Sequence, residues 1–281
     1  MEHEEWTMII RPQRRWFDLR LGELWRARDL IKMFVWRDFA AQYKQTILGP
    51  LWFLIAPLIT TITFTVVFGN IARLPTDGLP PFLFYMTGTT IWNYFAACLG
   101  STSNTFIANS GLFGKVYFPR LSVPISTLIS NLFKFSIQFG QLLAFLIYFM
   151  VSGSDVRITA WITLLPLLVL MMAGFGLGMG IIVSSLTTRY RDLHFLVGFG
   201  VQLMMYATPV IYPLSSIPER WRWLISLNQL SPIVEGFRLA LLGTGSLDPA
   251  HLLYSVSIMA IALMIGFLIF NRVESTFMDT V

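Results

Sequence analysis

Charged residues are scarce in this chain, and cysteine and histidine are scarcer still. Asp, Glu, Lys and Arg make up 12% of its 281 residues, whereas 55% are hydrophobic. Cys98 is the only cysteine, which excludes an intramolecular disulfide. The three histidines, His3, His194 and His251, show no metal-ligand spacing. The sequence therefore predicts neither a disulfide scaffold nor a metal centre.

Long stretches of the chain contain no Asp, Glu, Lys or Arg at all. They are residues 45–72, 78–114, 121–133, 135–154, 158–188, 193–218 and 249–271. A helix that crosses a bilayer needs about 20 mostly apolar residues. Backbone groups inside the lipid must also bond to one another, which favours helices. These stretches therefore predict an all-α integral membrane protein.

Six transmembrane helices are predicted from the charge-free stretches. We place them at about 49–71, 82–107, 123–150, 159–184, 194–213 and 251–270. Fourteen Lys and Arg residues lie before the first span, in the second and fourth loops and in the tail 272–281, against five on the other side. Because cytoplasmic segments carry the excess of positive charge, both termini are predicted to be cytoplasmic.

The N-terminal segment 1–48 contains a helix of a different kind. Residues 22–45 mix charged and apolar side chains near helical spacing and include Trp25 and Trp36. This pattern predicts an amphipathic helix that lies in the cytoplasmic headgroup layer. An ordinary cytoplasmic helix is the alternative.

Residues 215–245 are predicted to lie outside the membrane core, next to the last span. Ser216 and Glu219 have the spacing of a helix-capping box, and Gly243 is a stop signal for a second helix. Both helices are too short to span a bilayer. We therefore expect two short amphipathic helices that partly re-enter the membrane from outside.

Polar side chains inside the predicted spans are concentrated on one face of the third span. Lys134 is the only charged residue at depth, and its neighbours at spacings of 3 and 4 are Thr127, Asn131, Gln138 and Gln141. This stripe predicts either the lining of a polar conduit or a buried contact between helices. All 15 carboxylates lie outside the predicted spans, so the acid that a proton-coupled carrier usually needs at depth is missing.

Nucleotide-binding motifs are also missing. The segment from Gly111 to Lys115 lacks both the earlier glycine and the following Ser or Thr of a phosphate-binding loop. Four glycines in the fourth span, at positions 174, 176, 178 and 180, predict close helix packing instead. A transporter-like body without an energy source is either passive or is driven by a partner.

Several runs resemble the membrane subunits of type-two ABC exporters. They are RDFAAQYKQTILGPLW at 37–52, NSGLFGKVYFPR at 109–120, RYRDL at 189–193, YATPVIYP at 206–213 and IPERWRW at 217–223. The branch they are most similar to exports lipid-linked polysaccharides such as O antigen, capsule and teichoic acid. The likeness covers about residues 30–275 in collinear order. The chain departs from the family at Lys134, where an Asp is common.

The resemblance implies that this chain is the non-catalytic pore of a larger assembly. Two copies would form a homodimer above two ABC ATPase subunits, which would bind ATP and Mg, and this chain would need no cofactor. Loop 109–121 would insert into a cleft on each ATPase and couple the subunits, through Lys115, Tyr117, Pro119 and Arg120. The assembly would lie in the bacterial cytoplasmic (inner) membrane.

The implied substrate is a polysaccharide on a polyprenyl diphosphate. The diphosphate would contact Arg37, Tyr43 and Lys44 near the cytoplasmic surface, and the conduit would be lined by Asn131, Lys134, Gln138 and Gln141. Sugar rings stack on aromatic faces. The candidates for stacking and for the outer gate are Trp92, Tyr94, Phe95, Tyr206, Tyr212, Trp221 and Trp223. An aromatic belt at the lipid interface is the alternative for these residues.

Other functions remain open at this stage. An ABC exporter of a different lipid or of a drug would share the fold. An integral-membrane glycosyl or phosphate transferase would usually show a cluster of aspartates at the cytoplasmic face, whereas Asp29, Asp38 and Asp192 are dispersed. A passive channel would need no partner.

Overall fold

The structure, a computed structural model, describes residues 21–43, 48–113, 115–116, 118–187 and 192–280. It leaves out the side chains of Leu21, Gln42, Tyr43, His194 and residues 274–280. Helix accounts for 81% of the described residues, and these residues contain no strand. The all-α prediction is therefore confirmed.

The helices follow one another with short connections. They are α1 (Leu21–Arg26), α2 (Arg28–Tyr43), α3 (Trp52–Phe64), α4 (Pro81–Ser103), α5 (Thr105–Ala108), α6 (Ser110–Phe113), α7 (Ser122–Val151), α8 (Leu165–Thr187), α9 (Leu193–Ala207), α10 (Glu219–Ser226), α11 (Ser231–Leu242) and α12 (Pro249–Thr280). A 3₁₀ turn, Gly49–Leu51, leads into α3, which continues as a π-helix, Thr65–Ile71. Another 3₁₀ turn, Ala160–Leu164, leads into α8.

Helices long and apolar enough to cross a membrane are present among the described residues. They are Gly49–Ile71, Ser122–Val151, Ala160–Thr187 and Pro249–Val273, and a shorter apolar helix covers Phe195–Ala207. The chain is therefore a multi-pass membrane protein. The first two agree within one residue with the predicted spans 49–71 and 123–150.

Helix α4 is long enough to span a membrane but is less apolar than the helices named above. It lies in the centre of the bundle. It packs against α3, α7, α8, α9 and α11. Three of its buried threonine hydroxyls bond within the helix: Thr87 donates to the Leu83 carbonyl at 2.8 Å, Thr89 to the Tyr85 carbonyl at 2.8 Å and Thr90 to the Met86 carbonyl at 2.7 Å. A helix enclosed by protein need not present an apolar face to lipid.

The glycines of α8 allow close approach on both of its sides, as predicted. A Cβ placed on Gly176 would lie 2.5 Å from the Cβ of Cys98 on α4. A Cβ on Gly178 would lie 2.9 Å from the backbone carbon of Ala262 on α12. The two glycine faces therefore dock α8 between α4 and α12.

Several helix ends differ from the predicted bounds. Helix α9 stops at Ala207 rather than near 213, because Thr208 is extended (φ −106°, ψ 143°) ahead of Pro209, and a residue before proline avoids the helical region. Helix α4 ends at Ser103 rather than near 107, and α12 continues to Thr280 through the predicted tail.

The predicted capping box at the first outer helix is wrong. Helix α10 begins at Glu219 directly after Pro218, with no side-chain cap, and the Ser216 hydroxyl donates instead to the Pro213 carbonyl at 2.8 Å. The predicted stop of the second outer helix is confirmed. Gly243 ends α11 in the left-handed region, at φ +76°, where glycine is favoured.

Candidate functional site

The loop between α6 and α7 is anchored to α2 by aromatic rings that pack at tilted angles. The centroid of Phe118 in this loop lies 5.6 Å from that of Phe34 on α2 and 5.7 Å from that of Phe113 on α6. We call these three rings the aromatic bridge. Phe34 and Phe113 are both buried, in a core cluster that also contains Phe270 from α12. The bridge therefore fixes the loop to helices from both ends of the chain.

Arginine side chains cover both ends of the aromatic bridge. The guanidinium carbon of Arg37 lies 4.8 Å from the ring centre of Phe34, and that of Arg120 lies 5.5 Å from the ring centre of Phe113. Such cation–π contacts contribute about 0.5–1 kcal/mol each at exposed positions. Arg37 also donates to Asp38 at 2.8 Å, so its charge is already partly balanced.

Only a short part of this loop is exposed to solvent. Lys115 and Val116 are exposed, with Val116 54% accessible, whereas Pro119 and Arg120 are half-buried. Tyr117, predicted to couple the subunits, lies outside the described residues, as does Lys44 of the predicted diphosphate contact. Tyr43 belongs to α2, but its side chain is not described. Lys115 and Val116 are therefore the described residues of this loop best placed to touch a partner.

Replacing Phe34 by alanine is expected to loosen this loop. The substitution removes one ring of the aromatic bridge, and such ring pairs contribute about 0.5–1.5 kcal/mol beyond their burial. Trypsin should then cleave after Lys115 severalfold faster in the folded, detergent-solubilised protein. Met33→Ala is the control, because Met33 lies on the same helix and is 67% exposed. Equal cleavage rates in the two variants would contradict the bridge.

The predicted conduit stripe on α7 makes hydrogen bonds inside the protomer. Lys134 Nζ donates to Asn131 Oδ1 at 3.1 Å, and Asn131 Nδ2 donates to Ser101 Oγ on α4 at 3.3 Å. Gln141 Nε2 donates to the Leu54 carbonyl on α3 at 3.2 Å. Gln138 is half-buried. These bonds favour the helix-contact interpretation of the stripe, and a conduit stays a prediction.

The opposite end of the molecule contains a buried ion pair that sequence reasoning missed. Arg238 and Glu235 lie one turn apart on α11, and Arg238 Nη1 donates to Glu235 Oε1 at 3.1 Å. Their side chains are 2% and 4% exposed. A charged pair at a spacing of three in an otherwise apolar helix was the available signal. Charge counting alone includes Arg238 among the basic residues of the predicted outer side and does not reveal its pairing with Glu235.

Arg238 joins α11 to two other parts of the chain. Its Nη2 donates to the Val210 carbonyl at 2.5 Å, and its guanidinium carbon lies 3.8 Å from the ring centre of Phe84 on α4. Gly88 makes room for this contact, because a Cβ there would lie 2.6 Å from the Val210 carbonyl oxygen. Arg238 therefore holds the segment after α9 against the central helix.

Burial acts on both charges of this pair. It lowers the pKa of Arg238 to about 10, and Glu235 opposes that shift, so the guanidinium is charged at neutral pH. Burial raises the pKa of Glu235, and Arg238 and a backbone hydrogen bond from Ser246 oppose this shift. Each charge is therefore tolerated in this site only because the other is present.

The predicted glycan-stacking aromatics fall into two groups. Trp92, Tyr94 and Phe95 are 3%, 4% and 0% exposed and belong to the central core. These three cannot reach a sugar in this conformation, because the central position of α4 encloses them, and their predicted stacking role is corrected accordingly.

The remaining predicted stacking aromatics are accessible to solvent. Tyr206, Trp221 and Trp223 are 48%, 51% and 60% exposed. Tyr212 is half-buried, and its hydroxyl donates to the Tyr206 carbonyl at 2.9 Å. For these four residues, stacking on sugar rings and a role in the outer gate stay predictions.

The amino-acid sequence of this chain matches a known family of membrane proteins. The profile of the ABC-2 type transporter family matches residues 29–242, which is most of the chain. The chain belongs to this family of transporter membrane subunits.

Relatives cover nearly the whole chain. An O-antigen export system permease protein, RfbA, of Klebsiella pneumoniae is 29% identical over 252 residues, covering 89% of this chain and 94% of the relative. RfbA of Myxococcus xanthus is 29% identical over 70% of this chain and 73% of its own length. The polysialic acid transport protein KpsM of Escherichia coli is 23% identical over 87% of this chain and 93% of its own length.

Proposed function

We propose that this chain is the permease subunit of an ATP-driven exporter that moves a polyprenyl-diphosphate-linked glycan, of the O-antigen type, across the bacterial inner membrane. The family, and the export and transport functions of relatives that align over most of the chain, support this proposal. The observation that carries the mechanism is the aromatic bridge, which braces the exposed tip at Lys115 and Val116 against α2 and α12. A loop held in this way transmits the movement of a bound partner to the membrane helices.

Six crossings, with both termini in the cytoplasm, form part of this proposal. The crossings are α3, α4, α7, α8, α9 and α12. Phe34, which precedes the first of them, shares a core cluster with Phe270 near the end of the last. Because both residues lie at one end of the bundle, the number of crossings between them is even. The excess of basic residues at that end supports a cytoplasmic location for it.

Helix α2 is proposed to lie in the cytoplasmic headgroup layer. Phe34 on one side of α2 is 7% exposed and joins the core, whereas Met33 and Trp36 on α2 are 67% and 71% exposed, and Trp25 on the preceding helix α1 is 72% exposed. Exposed tryptophans beside Arg and Lys side chains are typical of helices at a membrane surface. Arg37, at the end of the aromatic bridge, would there meet the substrate's diphosphate by exchanging its bond to Asp38.

A homodimer above two ABC ATPase subunits completes the proposal. The ATPases would bind ATP and Mg, and each would receive one loop 109–121. Reversing the charge at the tip, Lys115→Glu, is expected to reduce surface glycan about tenfold or more. A charge pair lost across a buried protein interface costs roughly 2–5 kcal/mol. The folded dimer itself should be unaffected, because Lys115 is exposed.

The test compares surface glycan and ATPase co-purification in cells that carry each variant. Lys32→Glu is the matched control, since Lys32 lies at the same end with 74% of its side chain exposed and pairs only locally with Asp29. Near-normal glycan with Lys32→Glu and loss of glycan with Lys115→Glu would support the coupling role. Normal export by Lys115→Glu would remove this loop from the coupling interface.

A further inference from the structure

A polar pocket opens at the outer end of the molecule, between segments that are distant in sequence. Its volume is about 390 Å³, which lies within the range of small-molecule sites. The polar side chains that line it come from the α3–α4 connection, the segment around α10, α11 and the α11–α12 connection. They are Asp77, Ser215, Arg222, Glu235 and Ser246.

The polar groups of this pocket are held in place before any ligand arrives. Glu235 lies at the bottom, 4% exposed, with one oxygen bonded to Arg238. At the rim, Ser215 Oγ donates to Asp77 Oδ1 at 2.6 Å and so ties the α3–α4 connection to the segment before α10. Arg222 Nη2 donates to the Ile217 carbonyl at 3.3 Å. Fixed donors and acceptors lower the entropic cost of binding.

The charges of the pocket select against ions of either sign. Asp77 and Glu235 repel an anion, while Arg222 at the rim and Arg238 beneath Glu235 repel a cation. The described residues also contain no group of three or more His, Cys, Asp and Glu side chains that would hold a metal ion. A neutral ligand therefore suits this pocket better than a metal or a phosphate.

A neutral ligand must also satisfy the polar groups that it covers. Carboxylates accept hydrogen bonds, a guanidinium donates them, and serine hydroxyls do both. Adjacent hydroxyl groups on a sugar ring supply donors and acceptors together. A carboxylate or guanidinium left unpaired beneath an apolar ligand would instead lose its hydration without compensation. Polyhydroxylated rings are thus the class of ligand that matches the lining.

We propose that this pocket binds a sugar residue of the exported glycan at the outer mouth, through hydrogen bonds to Asp77, Ser215 and Arg222. The proposal rests on the proposed function for its substrate class. It adds a recognition site made of polar side chains, separate from the exposed aromatics.

The test uses the full-length protein in lipid nanodiscs and the oligosaccharide released by mild acid from the surface glycan of the bacterium that carries it. Binding is followed by tryptophan fluorescence, because Trp221 and Trp223 flank Arg222 on α10. We expect saturable binding that Asp77→Asn and Ser215→Ala each weaken about tenfold or more, as for lost hydrogen bonds to charged groups. Asn also tolerates the left-handed backbone of Asp77, at φ +53°.

The matched control is Asp155→Asn, which removes another outer carboxylate, 99% exposed, and should leave the affinity unchanged. Absence of saturable binding by the unmodified protein would overturn the proposal. So would equal affinity in all variants, or a calcium requirement that disappears with Asp77→Asn. If Asp77→Asn and Ser215→Ala bind the oligosaccharide as tightly as the unmodified protein, and export in cells still depends on the ATPase, then the pocket proposal fails and the proposed function stands. Loss of the ATPase dependence would remove the proposed function instead.

Discussion

Replacing Arg238 by methionine is expected to lower the free energy of unfolding by about 3–5 kcal/mol. The substitution leaves Glu235 charged and buried without its partner, and it removes the donor that the Val210 carbonyl accepts at 2.5 Å. It also removes the cation above Phe84. In detergent, the thermal unfolding midpoint should fall by the order of 10 °C. The outer end should lose its order first, because α11 and the segment after α9 are no longer tied to α4.

A second substitution separates the lost ion pair from a mere change of shape. Removing both charges, with Glu235→Gln and Arg238→Met together, should restore part of the stability, because no unpaired charge then stays buried. Arg157→Met is the control, since that side chain is 82% exposed at the same end. An Arg238→Met midpoint equal to that of the control would contradict the structural role of the pair.

Replacing Gly178 by leucine is expected to prevent α8 and α12 from packing together. Even a Cβ would lie 2.9 Å from the backbone carbon of Ala262 and 2.9 Å from the backbone nitrogen of Leu263. Backbone cannot move aside as a flexible side chain can, so the cost exceeds the roughly 1–3 kcal/mol of ordinary overpacking. The yield of folded, monodisperse protein should fall severalfold or more, as measured by size-exclusion chromatography of a fluorescent fusion.

The matched control places the same leucine on a glycine in open space. Gly140 lies on the membrane helix α7, and a Cβ there meets no atom within 4 Å. Gly140→Leu should therefore keep a near-normal yield. A similar loss in both variants would show that leucine is harmful wherever it is placed. A normal yield with Gly178→Leu would contradict the close contact of α8 and α12.

The positions of the long helices could be predicted because lipid imposes one strong rule on sequence. A segment that crosses the lipid must be helical and about 20 residues long, and the bounds of Gly49–Ile71 and Ser122–Val151 lie close to those predicted from the charge pattern. Glycine spacing in α8 likewise encodes a local property, the absence of a side chain. Such features require no knowledge of which helices become neighbours.

Tertiary neighbours explain what the sequence did not reveal. Aromatic residues such as Trp92 and Phe95 are equally typical of an interfacial belt, a sugar-stacking surface or a protein core. Only the central position of α4 places these two in the core. Glu235 and Arg238 carry a local signal, but the Val210 carbonyl and Phe84 lie far away along the chain. Both depend on long-range contacts that neither periodicity nor charge counting reports.

The most direct test of the account is affinity purification of the tagged chain from its native membrane in mild detergent, with mass spectrometry and an ATPase assay. The account predicts a stoichiometric ATPase with a phosphate-binding loop, whose activity and whose support of surface glycan both disappear when the lysine of that loop is replaced. Recovery of the chain alone, with surface glycan unchanged after that replacement, would contradict ATP-driven export by this permease.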